Sequence, residues 1–100
     1  MPEMTMTVRW PDASTTDLYS PSLVLHDHLE TGRGYAVSDF LARAETALAE
    51  ASERVRARYG FACTSAAATI EQIRAAVAGF APEQTVLVLA MHPPLPKETP

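Results

Sequence analysis

Arg54, Arg56 and Arg58 crowd the end of a helical segment, and Arg54 and Arg58, four apart, fall on one side of it. Planar guanidinium groups so placed could grip an anion or an acidic partner. The plainer role is a solvated helix end whose cations answer the dipole. Cys63 stands just ahead of a second helical segment, where the positive dipole end lowers a thiol pKa and favours the reactive thiolate. A nucleophile also needs a positioned base; none is adjacent, and the neighbours Phe61 and Ala62 are apolar, so an inert buried thiol is the rival reading. His26 and His28 could share an ion on a strand, where residues two apart face the same way, but on a helix they diverge by about 200°. With only His92 as a further imidazole, no metal site is expected. Tyr19-Ser20-Pro21-Ser22 sets hydroxyls at a strand-to-helix corner, which could receive an anion or simply cap a helix. Nothing matches a phosphate-binding glycine loop, a carboxylate pair or a triad, so no catalytic residue and no cofactor is expected.

These side chains are positioned by elements that the pattern of the chain predicts. Met4, Met6, Val8 and Trp10 alternate with Thr5, Thr7 and Arg9, the mark of a half-buried strand. Pro11-Asp12-Ala13-Ser14 has turn chemistry, and Thr15 to Tyr19 completes a hairpin. Ala13 stands where glycine would more easily take positive φ, so the turn is type I or strained. Ser20-Pro21 starts a short helix over Ser22 to Leu29, with a strand as the rival, and Thr31-Gly32-Arg33-Gly34 is a loop. Ser38 caps the main helix, which runs to Tyr59 and stops at Gly60. Its stripe, Leu41, Ala44, Leu48, Ala51, Val55 and Tyr59, spans roughly 80°. Asp39 with Arg43 and Glu50 with Arg54 are acid-first pairs four apart. The next helix begins between Thr64 and Thr69 and ends near Gly79, with Ala66, Ile70, Ile73, Val77 and Phe80 on its apolar side. Thr85 to Met91 reads as a strand buried on both faces.

The 100 residues suit one compact domain, over residues 1–92, and the Pro-rich residues 93–100 are expected to be a disordered tail. The fold class is α+β: a small three-stranded sheet, the hairpin plus the C-terminal strand in the order second, first, last, with two main helices and one short helix on one face. A parallel pairing of first and last strands would require a right-handed crossover. The other face, carrying Thr5, Thr7, Arg9 and Tyr19, is then bare, which points to self-association or a partner protein. Eight Lys plus Arg against twelve Asp plus Glu give a net charge of −4, which disfavours a nucleic-acid module. The lone cysteine excludes an internal disulfide. Without an apolar leader or membrane span, a cytoplasmic protein is expected.

Val8-Arg9-Trp10-Pro11-Asp12, Tyr19-Ser20-Pro21-Ser22, Asp39-Phe40-Leu41-Ala42-Arg43 and above all Ala51-Ser52-Glu53-Arg54-Val55-Arg56-Ala57-Arg58-Tyr59-Gly60-Phe61-Ala62-Cys63 resemble a family of small bacterial nitrogen-starvation response proteins. The resemblance runs from the N-terminus to about Phe80. It implies a gene cluster that includes a nitrilase and serves nitrogen scavenging from nitriles or cyanide, and it carries no catalytic residue across. That family's turn usually reads Pro-Asp-Gly, from which Ala13 departs. Two function classes stand. One is a non-enzymatic accessory or protein-interaction module whose candidate contacts are Arg9, Tyr19, Arg54, Arg58 and Cys63, and whose partner is a second copy or a protein of the same cluster. The other is a small-ligand or thiol-dependent enzyme using Cys63 with an arginine-bound anion.

Overall fold

Six residues alternating large and small, then a turn, then six more give strands β1 (Met4–Arg9) and β2 (Thr15–Ser20), paired antiparallel with Met6 opposite Leu18 and Arg9 opposite Thr15. The computed structural model describes residues 3–60 and 64–93. After the hairpin come α1 (Leu25–His28), β3 (Gly34–Ala36), α2 (Val37–Tyr59), α3 (Thr64–Val77) and β4 (Thr85–His92). The strands form one sheet in the order β2-β1-β4-β3, antiparallel throughout. No parallel crossover is needed.

The sheet thus has four strands, not three. β3 is three residues long, too short for alternation to register, and its Gly34 belongs to the ladder rather than to a loop. A Cβ at Gly34 would lie 2.9 Å from the Thr85 side chain, so the close approach of β3 to β4 calls for glycine. β4 is also not buried on both faces. Val86, Val88 and Met91 point into the core, while Thr85 and Leu89 are exposed and Leu87 is half-buried. The apolar run hid a one-residue irregularity: Val8 pairs with Val88 but Thr7 pairs with Ala90, leaving Leu89 as the extra residue of a β-bulge. Without it Met91 would face solvent; with it Met91 pairs with Met6 and is buried.

The core gathers Met4, Met6, Val8 and Leu18 of the hairpin, Val86, Val88 and Met91 of β4, and the inner faces of α2 and α3. α2 starts at Val37, and Ala36, two residues before the expected cap Ser38, occupies the cap position without a side-chain bond. The hydrogen bond from Val37 N–H to the Gln84 carbonyl (2.7 Å) shows why: the sheet ladder runs straight into the helix. The helix ends on Gly60 in the left-handed conformation (φ 79°). Phe40 rather than Leu41 supplies the buried first turn, and Tyr59 is 50% exposed instead of closing the stripe. The corner Ser20-Pro21-Ser22 leads to a helix of four residues only, with the Ser20 hydroxyl donating to the Ser22 carbonyl (2.7 Å).

Trp10 joins the layers. Its ring meets Phe40 of α2 edge-on (centroids 5.8 Å apart, 89°) and stacks on Phe80 beyond α3 (6.4 Å, 17°), while its indole N–H donates to Thr16 Oγ1 (2.8 Å). Trp10 and Phe40 are buried and the one polar atom is satisfied, and aromatic pairs add about 0.5–1.5 kcal/mol beyond area burial. The Thr69 hydroxyl of α3 donates to the Tyr19 carbonyl of β2 (2.8 Å), fixing that helix to the sheet edge.

The hairpin turn closes with Trp10 N–H to the Ser14 carbonyl (2.8 Å) and Ala13 N–H to the Trp10 carbonyl (2.9 Å), and Ala13 sits at φ 72°. A left-handed alanine is strained by about 1–2 kcal/mol. Ala13→Gly is therefore expected to raise the stability by about 0.5–1 kcal/mol, after the glycine's extra chain entropy, read from the urea midpoint. Asp12 is held below its ordinary value of 3.8, first by the Ser14 hydroxyl and then by the Ser14 backbone N–H. A lowered carboxylate stabilises the turn above pH 3.8 and loses that contribution as the pH falls through its folded value. An NMR titration of the Asp12 side chain should show this depressed pKa return toward the ordinary value in Ser14→Ala.

Candidate functional site

With helices on one side only, the second face of the sheet is uncovered, and the molecule is 18 Å along its thinnest axis. The register lays this face out in rows: Tyr19, Thr5 and His92; Asp17, Thr7 and Ala90; Thr15, Arg9, Leu87 and Gly34; then Thr85 and Ala36. Leu89 projects from the bulge between them and is 38% exposed. Apolar side chains on the inner strand β4 are flanked by polar ones on β1 and β2, the arrangement of an interface centre and its rim.

Arg9 and Tyr19 share this face, as the sequence predicts. Among the described residues Arg9 makes no hydrogen bond or ion pair, and it lines a cleft of about 280 Å³ with Trp10, Pro11, Ala13, Thr85 and Leu87. Tyr19 is half-buried, and its hydroxyl donates to Glu3 Oε2 (2.9 Å). Asp17 accepts the Thr7 hydroxyl (2.7 Å), so the face carries an acid as well as a cation.

Arg54 and Arg58 lie elsewhere. They are exposed on the last turns of α2, in the helix layer, so they cannot join Arg9 and Tyr19 in one site. Arg58 sits 5.8 Å from the centre of the Tyr59 ring, Arg56 reaches Glu53 at 3.9 Å, and Arg54 borders a shallow groove with Thr46, Ala49, Glu50 and Glu53. The Asp39–Arg43 pair forms (2.9 Å), whereas Glu50 turns to His28 (3.1 Å) rather than to Arg54. Cys63 lies outside the described residues, as do residues 94–100 of the expected tail.

The two histidines are on a helix and have separate partners: His26 Nε2 meets the Pro93 carbonyl at 2.9 Å and His28 meets Glu50. Among the described residues no cluster of three metal-ligating side chains occurs, and no helix is long and apolar enough to cross a membrane. One charged cluster escaped the sequence: Arg33 and Arg43 lie 5.0 and 5.2 Å from the Tyr35 ring, whose hydroxyl accepts the Glu30 N–H (2.8 Å). Arg43 also donates to the Asp39 carboxylate and the His28 carbonyl. Every cation there is engaged and Tyr35 is buried, so the cluster ties β3 and α2 together rather than presenting a binding group.

Exposed side chains of the outer face are dispensable for folding. Leu89→Ala is expected to change stability by no more than about 0.5 kcal/mol, against about 2–5 kcal/mol for Leu48→Ala in the core. Parallel urea melts of the two variants check the assignment of the faces.

A family model described as nitrogen starvation-induced protein NitG matches residues 5–91 of the chain. No curated protein and no solved structure matches it.

Proposed function

The chain belongs to the NitG family of nitrogen starvation-induced proteins, and from that premise we propose that it is a non-enzymatic accessory module that docks onto protein through the open face of its sheet. The observation that carries this reading is Leu89: a β-bulge pushes a large apolar side chain into solvent near the middle of an uncovered sheet, next to half-buried Leu87. An interface recovers the cost of such exposure. The polar rim of Arg9, Asp17 and Tyr19 supplies orientation and selectivity. The arginine-rich end of α2 is a second, separate contact surface in the helix layer, with Arg54 and Arg58 offered to acidic groups. The resemblance to proteins of nitrilase-containing clusters makes nitrogen scavenging from nitriles or cyanide the pathway in which this docking serves.

In cells starved for nitrogen, Leu89→Lys should cut recovery of the protein's specific partner about tenfold or more, the loss typical of a central apolar contact. Arg54→Glu with Arg58→Glu should weaken it by a smaller factor and make it less sensitive to salt. Quantitative co-purification under matched expression is the measurement. Unchanged recovery in both variants would remove the docking role.

A further inference from the structure

The face is self-complementary, and we infer that its occupant is a second copy of this chain, giving a four-layer dimer with the two sheets inside and the helices outside. The inference rests on the reading of the open face as a docking surface and names what fills it. The register supplies the geometry. A two-fold axis lying between the sheets, across the strands and midway between the Thr7 and Arg9 rows, exchanges those rows between copies. Each strand then stacks on its own counterpart, as in aligned sheet packing. Arg9 lands over Thr7 of the second copy and one strand spacing from its Asp17, within reach of a long side chain. Leu87 meets Leu89 and Ala90 of the second copy, and symmetry repeats both contacts.

Charge and area agree with this arrangement. Arg9 makes no hydrogen bond or ion pair among the described residues, and Asp17 makes only the Thr7 bond, so a cation and an acid face outward one row apart. Four strands about 4.8 Å apart and about 20 Å long present a face whose pairing buries on the order of 1,000 Å² in all, the lower limit for a specific interface. A dimer of this size is weak and concentration-dependent.

Sedimentation equilibrium of the full chain over about 5 to 500 μM tests it. The unmodified protein is expected to pass from monomer to dimer in that range. Arg9→Asp alone, which sets two acids against each other, and Asp17→Arg alone, which sets two cations against each other, should each raise the dissociation constant about tenfold or more. Mixed in equal amounts, the two variants should form a heterodimer, because every pair is then opposite in sign. Leu89→Lys should remain monomeric, with circular dichroism confirming an intact fold in all three. A protein that stays monomeric throughout overturns the inference, and so does a dimer that Leu89→Lys leaves untouched. A mixture that fails to dimerise overturns the Arg9–Asp17 register. A monomer whose Leu89→Lys variant still loses its partner in cells separates the two ideas: the second copy fails while docking through this face survives.

Discussion

A sheet has two faces, and the helices of this chain cover one. α2 and α3 lie side by side on the surface formed by Met4, Met6, Val8, Leu18, Val86 and Val88, and the apolar residues they bury there form one contiguous core. Apolar burial at about 25 cal/mol per Å² is what stabilises a domain of this length, so it is concentrated on that side. Whatever binding the sheet performs must therefore use the other face, where the side chains are free of structural duty.

The covered side is held by aromatic and polar contacts of different kinds. Trp10 at the end of β1 touches both the first turn of α2 and the segment after α3 through Phe40 and Phe80. Thr69 fixes α3 to the backbone of β2, and Arg74 ties α3 to α2 through Glu45 while also meeting Glu71. Among the described residues no buried side-chain polar atom lacks a partner. The helix layer is thus specified by directional contacts as well as by area.

The hairpin, the long helix to Gly60 and the helix starting at Thr64 were legible because each carries a sustained period: two over β1, and 3.6 along α2 and α3. The uncovered face and its Arg9 and Tyr19 followed from the same alternation. The fourth strand was hidden because three residues after a glycine loop hold no period. The bulge was hidden because Thr85 to Met91 is apolar at nearly every position, so nothing in composition marks where facing switches. The separation of Arg54 and Arg58 from the sheet face was legible too, because the layering puts the long helix on the side opposite Arg9 and Tyr19. The left-handed Ala13 was half legible: the turn type was open, but the preference for glycine at that place was not.

The bulge at Leu89 makes the end of β4 a counting device. Upstream of it odd-numbered positions look outward, and downstream Met91 looks inward. The phase change constrains the spacing in one direction: an added residue would turn Met91 to solvent and His92 toward the core, whereas losing Leu89 would leave Ala90 opposite Thr7 and Met91 opposite Met6 in plain alternation. The ladder on either side of Leu89 would close without it, so the extra residue serves what it turns outward and not the pairing beyond it.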